Sequence, residues 1–416
     1  MTRRTYIISL ACALTFLFCG ALTAGDYKGP IELIPTKDGT TLYSLNMDAK
    51  EIAAINVADA KIERTIPLPG VPNDMCLSHD EKTMYVGYGD YQGKVCAIDL
   101  ATGSVTGEGV VGHTPCGICE TSDASALFIC LRHDWKLAKI SLPDFKVVAT
   151  YPALHEPCDA VLTFDDATYY AANFLPLDPS DGANVAAEIT CLDTVTGESK
   201  QIRLPNGSSS MHHITLSPDG KYAYTTAILA RYQLPTTQVE RGWMNTNGFS
   251  IIDTAKREFV NTVLLDDVDS GAANPWPIVV TEDNKNIVVG LAGSHEICIV
   301  DSDKTHEKLA SLPKDAEDAK EQGLTNVTTA DQVPQLLAFL VGLKQRVKLS
   351  SRTLEAKAPR CLAAIGNKIY AGMYFTDNIV VVDLSARRPK AKEFIQLGPK
   401  PEMDPARRGE LAWHDA

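Results

Sequence analysis

Residues 217–226 read SPDGKYAYTT. A polar turn built on Asp and Gly closes through local hydrogen bonds and tolerates positive φ. The run behind it alternates apolar and polar side chains, as a half-buried strand does. The same pairing recurs at TKDGTTLYSL (36–45), SHDEKTMYVG (78–87), TSDASALFIC (121–130), TFDDATYYAA (163–172) and TEDNKNIVVG (281–290). A looser copy, AIGNKIYAGM, stands at 364–373. The turn aspartates Asp38, Asp80, Asp123, Asp165, Asp219 and Asp283 are 42, 43, 42, 54 and 64 residues apart, and Gly366 follows after 83.

A second marker trails each turn, a strand ending in Asp: INVAD, CAIDLATG, CLDTVTG, SIIDT, CIVDS, VVVDLS. A last short strand follows, as in KIERTIPLPG or KEFIQLG. Four short strands in about 42 residues is the signature of a β-propeller blade. Seven copies predict an all-β, seven-bladed propeller over residues 27–398, with a small helical insertion before the last blade. A single blade cannot bury both faces of its sheet, so the ring is the cooperative unit. The 416 residues therefore read as one domain, although length alone suggests two or three. SPDGKYAYT and its copies, paired with IVVVDL and its copies, resemble the YVTN-type propellers of exported bacterial and archaeal proteins. The resemblance implies the fold; these propellers host many roles.

The segment before the first repeat, MTRRTYIISLACALTFLFCGALTAG, has a basic start at Arg3 and Arg4, an apolar core and small residues through Ala24. It reads as an export signal over residues 1–24, with the mature chain periplasmic or at the cell surface. The apolar run is short for a spanning helix, and no later segment is long and apolar enough. Phe18 before Cys19 fits lipoprotein processing poorly. A net charge of −13 without basic runs makes nucleic acid and anionic membranes poor partners. Nine cysteines remain after the signal, an odd number, and Cys96, Cys191 and Cys298 fall in strand-like runs, where buried thiols are expected.

The long spacings locate three insertions, at 174–186, 228–247 and 314–357. The first two follow second strands. The third reads as following an outer strand, and all three are then expected on the face opposite the Asp turns. Long loops with little structure of their own are often functional. TTADQVPQLLAFLVGLKQRV (328–347) has a helical apolar period and is expected to form a helix lying on the ring or meeting a partner.

Inner strands begin at that same face, reading PNDMC, PCGIC, PCDAV, MHHIT, PWPIV and PRCLA. Asp74, Cys116, Asp159, His212, His213, Trp276 and Arg360 are therefore expected around the channel mouth. Loops on that face add His133, Asp134, Trp135, Arg231, Tyr232, Arg241, Trp243, Asn245, His295 and Glu296. Imidazole is a common metal ligand. But adjacent strand residues point to opposite sides, so His212 and His213 cannot readily hold one ion together; hydrogen-bonded mouth histidines are the plainer reading, and metal binding stays open. CGIC at 116–119 is followed by Glu, not the His of a c-type haem attachment site. No second cysteine pair completes a zinc site. No nucleophile–base set or phosphate loop can be assembled, so no catalytic residue is assigned. Arg231, Tyr232, Arg241 and Trp243 are of the type that anchors interfaces, or that holds a loop to its own ring.

The last stretch, RRGELAWHDA, resembles the opening of the cytochrome c domains of di-haem cytochrome c peroxidase-like proteins, with Arg407, Gly409, Glu410, Trp413, Asp415 and Ala416 matching. ILARYQLPTTQVERGWMNTNGFSIID, with LLDDVDSGAANPW, resembles exported propellers fused ahead of such domains. No CxxCH occurs in the chain, so a departure from that family is plain. The resemblance implies a docking module for a c-type cytochrome or peroxidase-like electron-transfer unit, fused or separate, with haem only on that partner and no cofactor here. An enzyme with substrate or metal at the channel mouth, and a cell-surface interaction scaffold, remain as alternatives.

Overall fold

The computed structural model describes residues 27–231, 244–351, 353–400 and 402–415. The export signal expected over 1–24 lies outside the described residues. Seven antiparallel sheets follow one another along the chain, at residues 30–67, 72–112, 115–152, 157–203, 208–264, 275–348 and 359–396. Each has four strands, laid side by side in chain order from the inner to the outer edge. In the fifth the inner strand is split in two, at Ser208–Ser209 and Ile214–Leu216. This is the seven-bladed propeller that the repeats predict.

The recurring aspartates do one job. In each turn a Ser or Thr hydroxyl donates to the Asp two residues on, at 2.7 Å from Thr36 to Asp38, from Ser78 to Asp80, from Thr121 to Asp123, from Ser217 to Asp219 and from Thr281 to Asp283. Thr163 does the same to Asp165 at 2.6 Å. The same carboxylate oxygen accepts the backbone N–H two residues further along, as from Lys82 and Lys221. The residue after the aspartate is left-handed in every copy, from Gly39 at φ 68° to Asn284 at φ 59°. A short polar side chain that mimics a backbone turn is what permits so tight a reversal.

Between blades the sheets bury alternating apolar side chains, such as Met84, Val86 and Ile98 against Leu45, Ile52 and Ile66. Blade one is built wholly from the start of the chain and blade seven wholly from its end, so no strand is shared across the closure. Packing closes the ring: Leu33, Leu42 and Ile55 of blade one meet Tyr370, Ile379 and Ile395 of blade seven. The Gly29 N–H also donates to Asp377 Oδ1 at 2.9 Å.

Two expectations about the insertions need correction. The helical insertion does not precede the last blade from outside blade six. It interrupts blade six between its third strand, Glu296–Asp301, and its outer strand, Lys344–Lys348. A connection from third to fourth strand leaves at the end where the Asp turns lie, so this insertion does not share a face with the other two. It wraps the flank of blade five, where the Asn261 side chain donates to the Ala330 carbonyl at 2.8 Å and Val333, Phe339 and Leu340 bury against Tyr224, Phe249 and Val263. Its helices are Ser302–Ala310 and Ala316–Glu321. The stretch expected to be one helix holds a 3-10 turn at Ala330–Gln335, containing Pro334, and then enters the outer strand at Lys344; a proline inside a helix removes a hydrogen bond and clashes with the preceding turn. The second correction concerns 228–247. Strand pairing continues outward to Ala230 and Asn245, so both ends of that insertion are a lengthened hairpin.

Candidate functional site

The inner strands share one register. Reading from the mouth, each runs proline or Met211, a first inward residue, a second, then a buried apolar residue. The residue before five of these prolines, and before Met211, is left-handed: Gly29, Thr114, Glu156, Asn274, Ala358 and Ser210. A β-bulge follows in most blades, for example between Pro72 and Asp74 and between Pro157 and Asp159. A bulge lets two consecutive residues face one side, and here that side is the channel. The outer ring is thus Ile31, Asn73, Cys116, Cys158, His212, Trp276 and Arg360, one from each blade, and all seven line one cavity of about 240 Å³. One step deeper, Glu32, Asp74, Asp159 and His213 line the same cavity.

The structure brings the expected Asp74, Cys116, Asp159, His212, His213, Trp276 and Arg360 together around this one cavity. Sequence reasoning overlooked Glu32, which is legible once PIEL at 30–33 is aligned with PNDM at 72–75. It also overlooked Arg132, which reaches in from a mouth loop and holds Glu156 through Nε and a terminal nitrogen at 3.1 and 3.0 Å.

Asp74 and Asp159 have a structural task. Asp74 accepts the Ile118 N–H of blade three at 2.8 Å, and Asp159 accepts the Ile214 N–H of blade five at 2.8 Å. The carboxyls tie neighbouring blades through these amides. Thiols do similar work: Cys158 Sγ lies 2.9 Å from the Met211 carbonyl, and Cys116 Sγ 3.5 Å from that of Pro157. All nine cysteines of the described chain are free.

The channel is an unusual electrostatic environment. Burial pushes Asp74 and Asp159 up to about 7, Asp74 also through the neighbouring Asp159. Burial, with Asp74 and Asp159 nearby, raises Glu32 well above the usual carboxylate range. Burial lowers His213 to about 4; burial and then the Arg132 and Arg360 charges lower His212 to about 3. Near neutral pH the two imidazoles are therefore neutral, and burial disfavours charge on the carboxyls. The two histidines diverge: His212 stacks on Trp276 with ring centroids 3.6 Å apart, while His213 Nε2 stands 3.8 Å from Asp159. His213 Nδ1 is buried without a partner. Among the described residues no group of three or more His, Cys, Asp or Glu is arranged to hold a metal ion.

Other expected residues lie elsewhere. Arg231 ties its hairpin to the blade-six insertion, donating to the Gln335 carbonyl at 3.2 Å. Tyr232, Arg241 and Trp243 lie outside the described residues. Asn245 and His295 line a second cavity of about 690 Å³ between blades five and six, with Asp266, Glu296 and Arg346. There His295 accepts the Ala358 N–H at 3.1 Å on Nδ1, and its Nε2 lies 3.0 Å from Asp415.

The tail ends on the mouth. Helix Pro405–His414 is capped by Asp404, whose carboxylate accepts the Arg407 N–H at 2.8 Å. Arg407 is buried over the rings of Tyr374, Phe375 and Tyr27 and donates to the Tyr374 carbonyl at 2.7 Å. Glu410 is 3.6 Å from Arg360. Three residues of the cytochrome-like stretch, Arg407, Glu410 and Asp415, thus turn inward onto the propeller, whereas Trp413 is 85% exposed; Ala416 lies outside the described residues.

The two ends of the ring differ. The mouth face carries exposed Val71, Tyr91, Trp135, Leu177, Met244, Val268 and Trp413 on its loops and tail. The turns of the opposite face expose Phe164 and Val195, and the blade-six insertion that leaves from that end exposes Leu324, Val327 and Val341. On the mouth face the Tyr91, His113 and His133 rings contact in series at 5.8 and 4.9 Å, and Trp135 meets His155 at 4.5 Å.

No family model matches the chain. Hydrazine synthase subunit beta of Kuenenia stuttgartiensis is 25% identical over 199 residues, which cover 48% of this chain and 47% of that protein. The match thus spans about half the length of this curated relative. A solved structure of Kuenenia stuttgartiensis hydrazine synthase superposes with a TM-score of 0.72 and 21% identity, covering 88% of this chain and 98% of that one. These similarities agree with the blade count and mark this chain as a seven-bladed propeller resembling a subunit of a multi-chain enzyme.

Proposed function

We propose that this chain is an exported docking subunit, periplasmic or at the cell surface, that presents its mouth face to a c-type cytochrome or di-haem peroxidase-like unit carrying the haem. The carrying observation is the set of exposed aromatic side chains on the mouth face, with Tyr91 78% and Trp135 44% exposed on its loops. Large rigid rings at a rim are the residues that concentrate binding energy at interfaces. Three things support the reading. The relative is itself named as one subunit of an enzyme. The loop stretch and the tail resemble propellers joined to cytochrome domains, and the SPDGKYAYT-type repeats resemble YVTN-type exported propellers. The tail helix holds its conspicuous Trp413 outward, beside the mouth. No haem is assigned to this chain.

The test is affinity capture of the tagged chain from its native cells, with haem staining and mass spectrometry of what is retained. The reading expects a haem protein with the parent chain and its loss with Tyr91→Ser/Trp135→Ser. Capture of no haem protein defeats the cytochrome assignment. The cavity supports a second reading, a small-molecule site at the channel mouth.

A further inference from the structure

The channel mouth holds opposite charges at different depths. Arg360 stands in the outer ring of side chains, while Glu32, Asp74 and Asp159 stand one residue deeper and on other blades. Arg360 is 9% exposed, its guanidinium lying 3.6 Å from the Tyr374 ring centroid and 4.7 Å from that of Trp276. Its Nε has no partner, and its nearest carboxylate, Glu410, is 3.6 Å away, beyond hydrogen-bond range. Arginine carries five N–H donors in a fork that fits a carboxylate. The guanidinium is held by ring faces and a loose ion pair with Glu410, and its Nε donor is left for a further acceptor.

The deep carboxyls are equally short of counter-charge. Asp74 and Asp159 each accept a backbone N–H, but no Lys or Arg pairs with them among the described residues. Glu32 has no side-chain partner there either, beyond the N–H of its neighbour Leu33. His213 faces them with a buried, unpartnered nitrogen. Between the two poles lies a cavity of about 240 Å³, walled on one side by the Trp276 ring. An occupant with a carboxylate at one end and an ammonium at the other would satisfy both.

We propose that the channel mouth is a binding site for a small zwitterion of the amino-acid class, its carboxylate on Arg360 and its ammonium among Glu32, Asp74 and Asp159. The site belongs to the isolated propeller and needs no docking partner.

Titration calorimetry of the purified chain with glycine, β-alanine and glycine betaine tests this, with propionate and propylammonium as single-charge controls. The expected result is saturable binding of at least one zwitterion, tenfold or more tighter than either control. Glu32→Gln is expected to weaken it at least tenfold without lowering the melting temperature, since Glu32 holds no neighbouring blade. Arg360→Lys keeps the charge but loses the fork and is expected to weaken it too. No zwitterion binding in the millimolar range overturns the proposal. So does propionate binding as tightly as β-alanine, or a Glu32→Gln variant that binds like the parent. Because no partner is present, failure here leaves the docking assignment standing, and the reverse holds as well.

Discussion

Arg407 lies 3.0 Å from Asp48 and donates to the Tyr374 carbonyl at 2.7 Å, so one side chain from the tail joins blade one to blade seven. In a ring with no shared blade, this seam is held only by packing and side-chain contacts. Tyr27 adds to it, its hydroxyl accepting the Asp404 N–H at 2.8 Å. The tail that resembles a cytochrome opening is thus also the clasp of the propeller.

Removing the clasp is expected to cost stability. Arg407→Ala leaves Asp48 half-buried without its cation, and breaking such a pair costs about 3 kcal/mol. The melting temperature should fall, with faster hydrogen exchange in residues 405–414 and at the edge of blade one. Trp413→Ser, on the outward side of the same helix, should leave the melting temperature near the parent's.

The channel carboxyls predict a pH dependence with a definite sign. Asp159 is raised to about 7 by burial, from a usual value of 3.8. The folded chain then binds more protons than the unfolded chain between these values, so this group's contribution to stability falls as pH rises through that window. Asp159→Asn keeps an oxygen for the Ile214 N–H and removes the charge. It should stabilise the protein at pH 8.5 by at least ~1 kcal/mol, the equivalent of one pKa unit. At pH 5.5, where Asp159 is already protonated, the change should be much smaller. His213, Asp74 and Glu32 share the cavity and titrate in both proteins. Thermal melts at the two pH values check this; equal shifts at both would contradict it.

The thiols should be inert. Burial raises Cys76, Cys96, Cys158 and Cys298 to about 12 and Cys116, Cys119, Cys130 and Cys361 in the same direction. A thiol is nucleophilic only as thiolate. Iodoacetamide at pH 8, read by intact mass, should leave the native chain essentially unmodified, whereas the denatured chain takes up label on all its cysteines.

The rim aromatics should separate binding from folding. Tyr91 and Trp135 are exposed, and surface substitutions away from special features shift stability by about 0.5 kcal/mol or less. Tyr91→Ser/Trp135→Ser is expected to melt like the parent yet lose its retained partner. A large drop in melting temperature would instead assign these rings to bracing.

What the sequence revealed follows from which interactions are local. The Ser/Thr-x-Asp turn is a contact two residues apart, so six copies display it directly, and the looser copy at 364–373 completes the blade count. The inner-strand register was legible for the same reason, because proline and a buried apolar residue bracket each pair of inward positions. Blade six was misread because its outer strand, KQRVK, buries only Val347 and shows no apolar alternation. The preceding helices were consequently placed outside the blade. The Asp74–Ile118 and Asp159–Ile214 bonds cross blades some 44 and 55 residues apart. Nothing in the residues themselves marks those amides as partners of the two carboxyls. Arg407 and Glu410 were read from a resemblance and not from their contacts, since a ring closure between the two chain ends leaves no local pattern.

The central claim is that the mouth face meets a haem-bearing partner. Cross-linking mass spectrometry of the complex captured from native cells tests it most directly. The account predicts cross-links from that partner to loops of the mouth face, around Lys94, Lys136 and Lys357 and the tail at 399–415. Cross-links confined to the Asp-turn face, around Lys37, Lys82, Lys221 and Lys285, would contradict it.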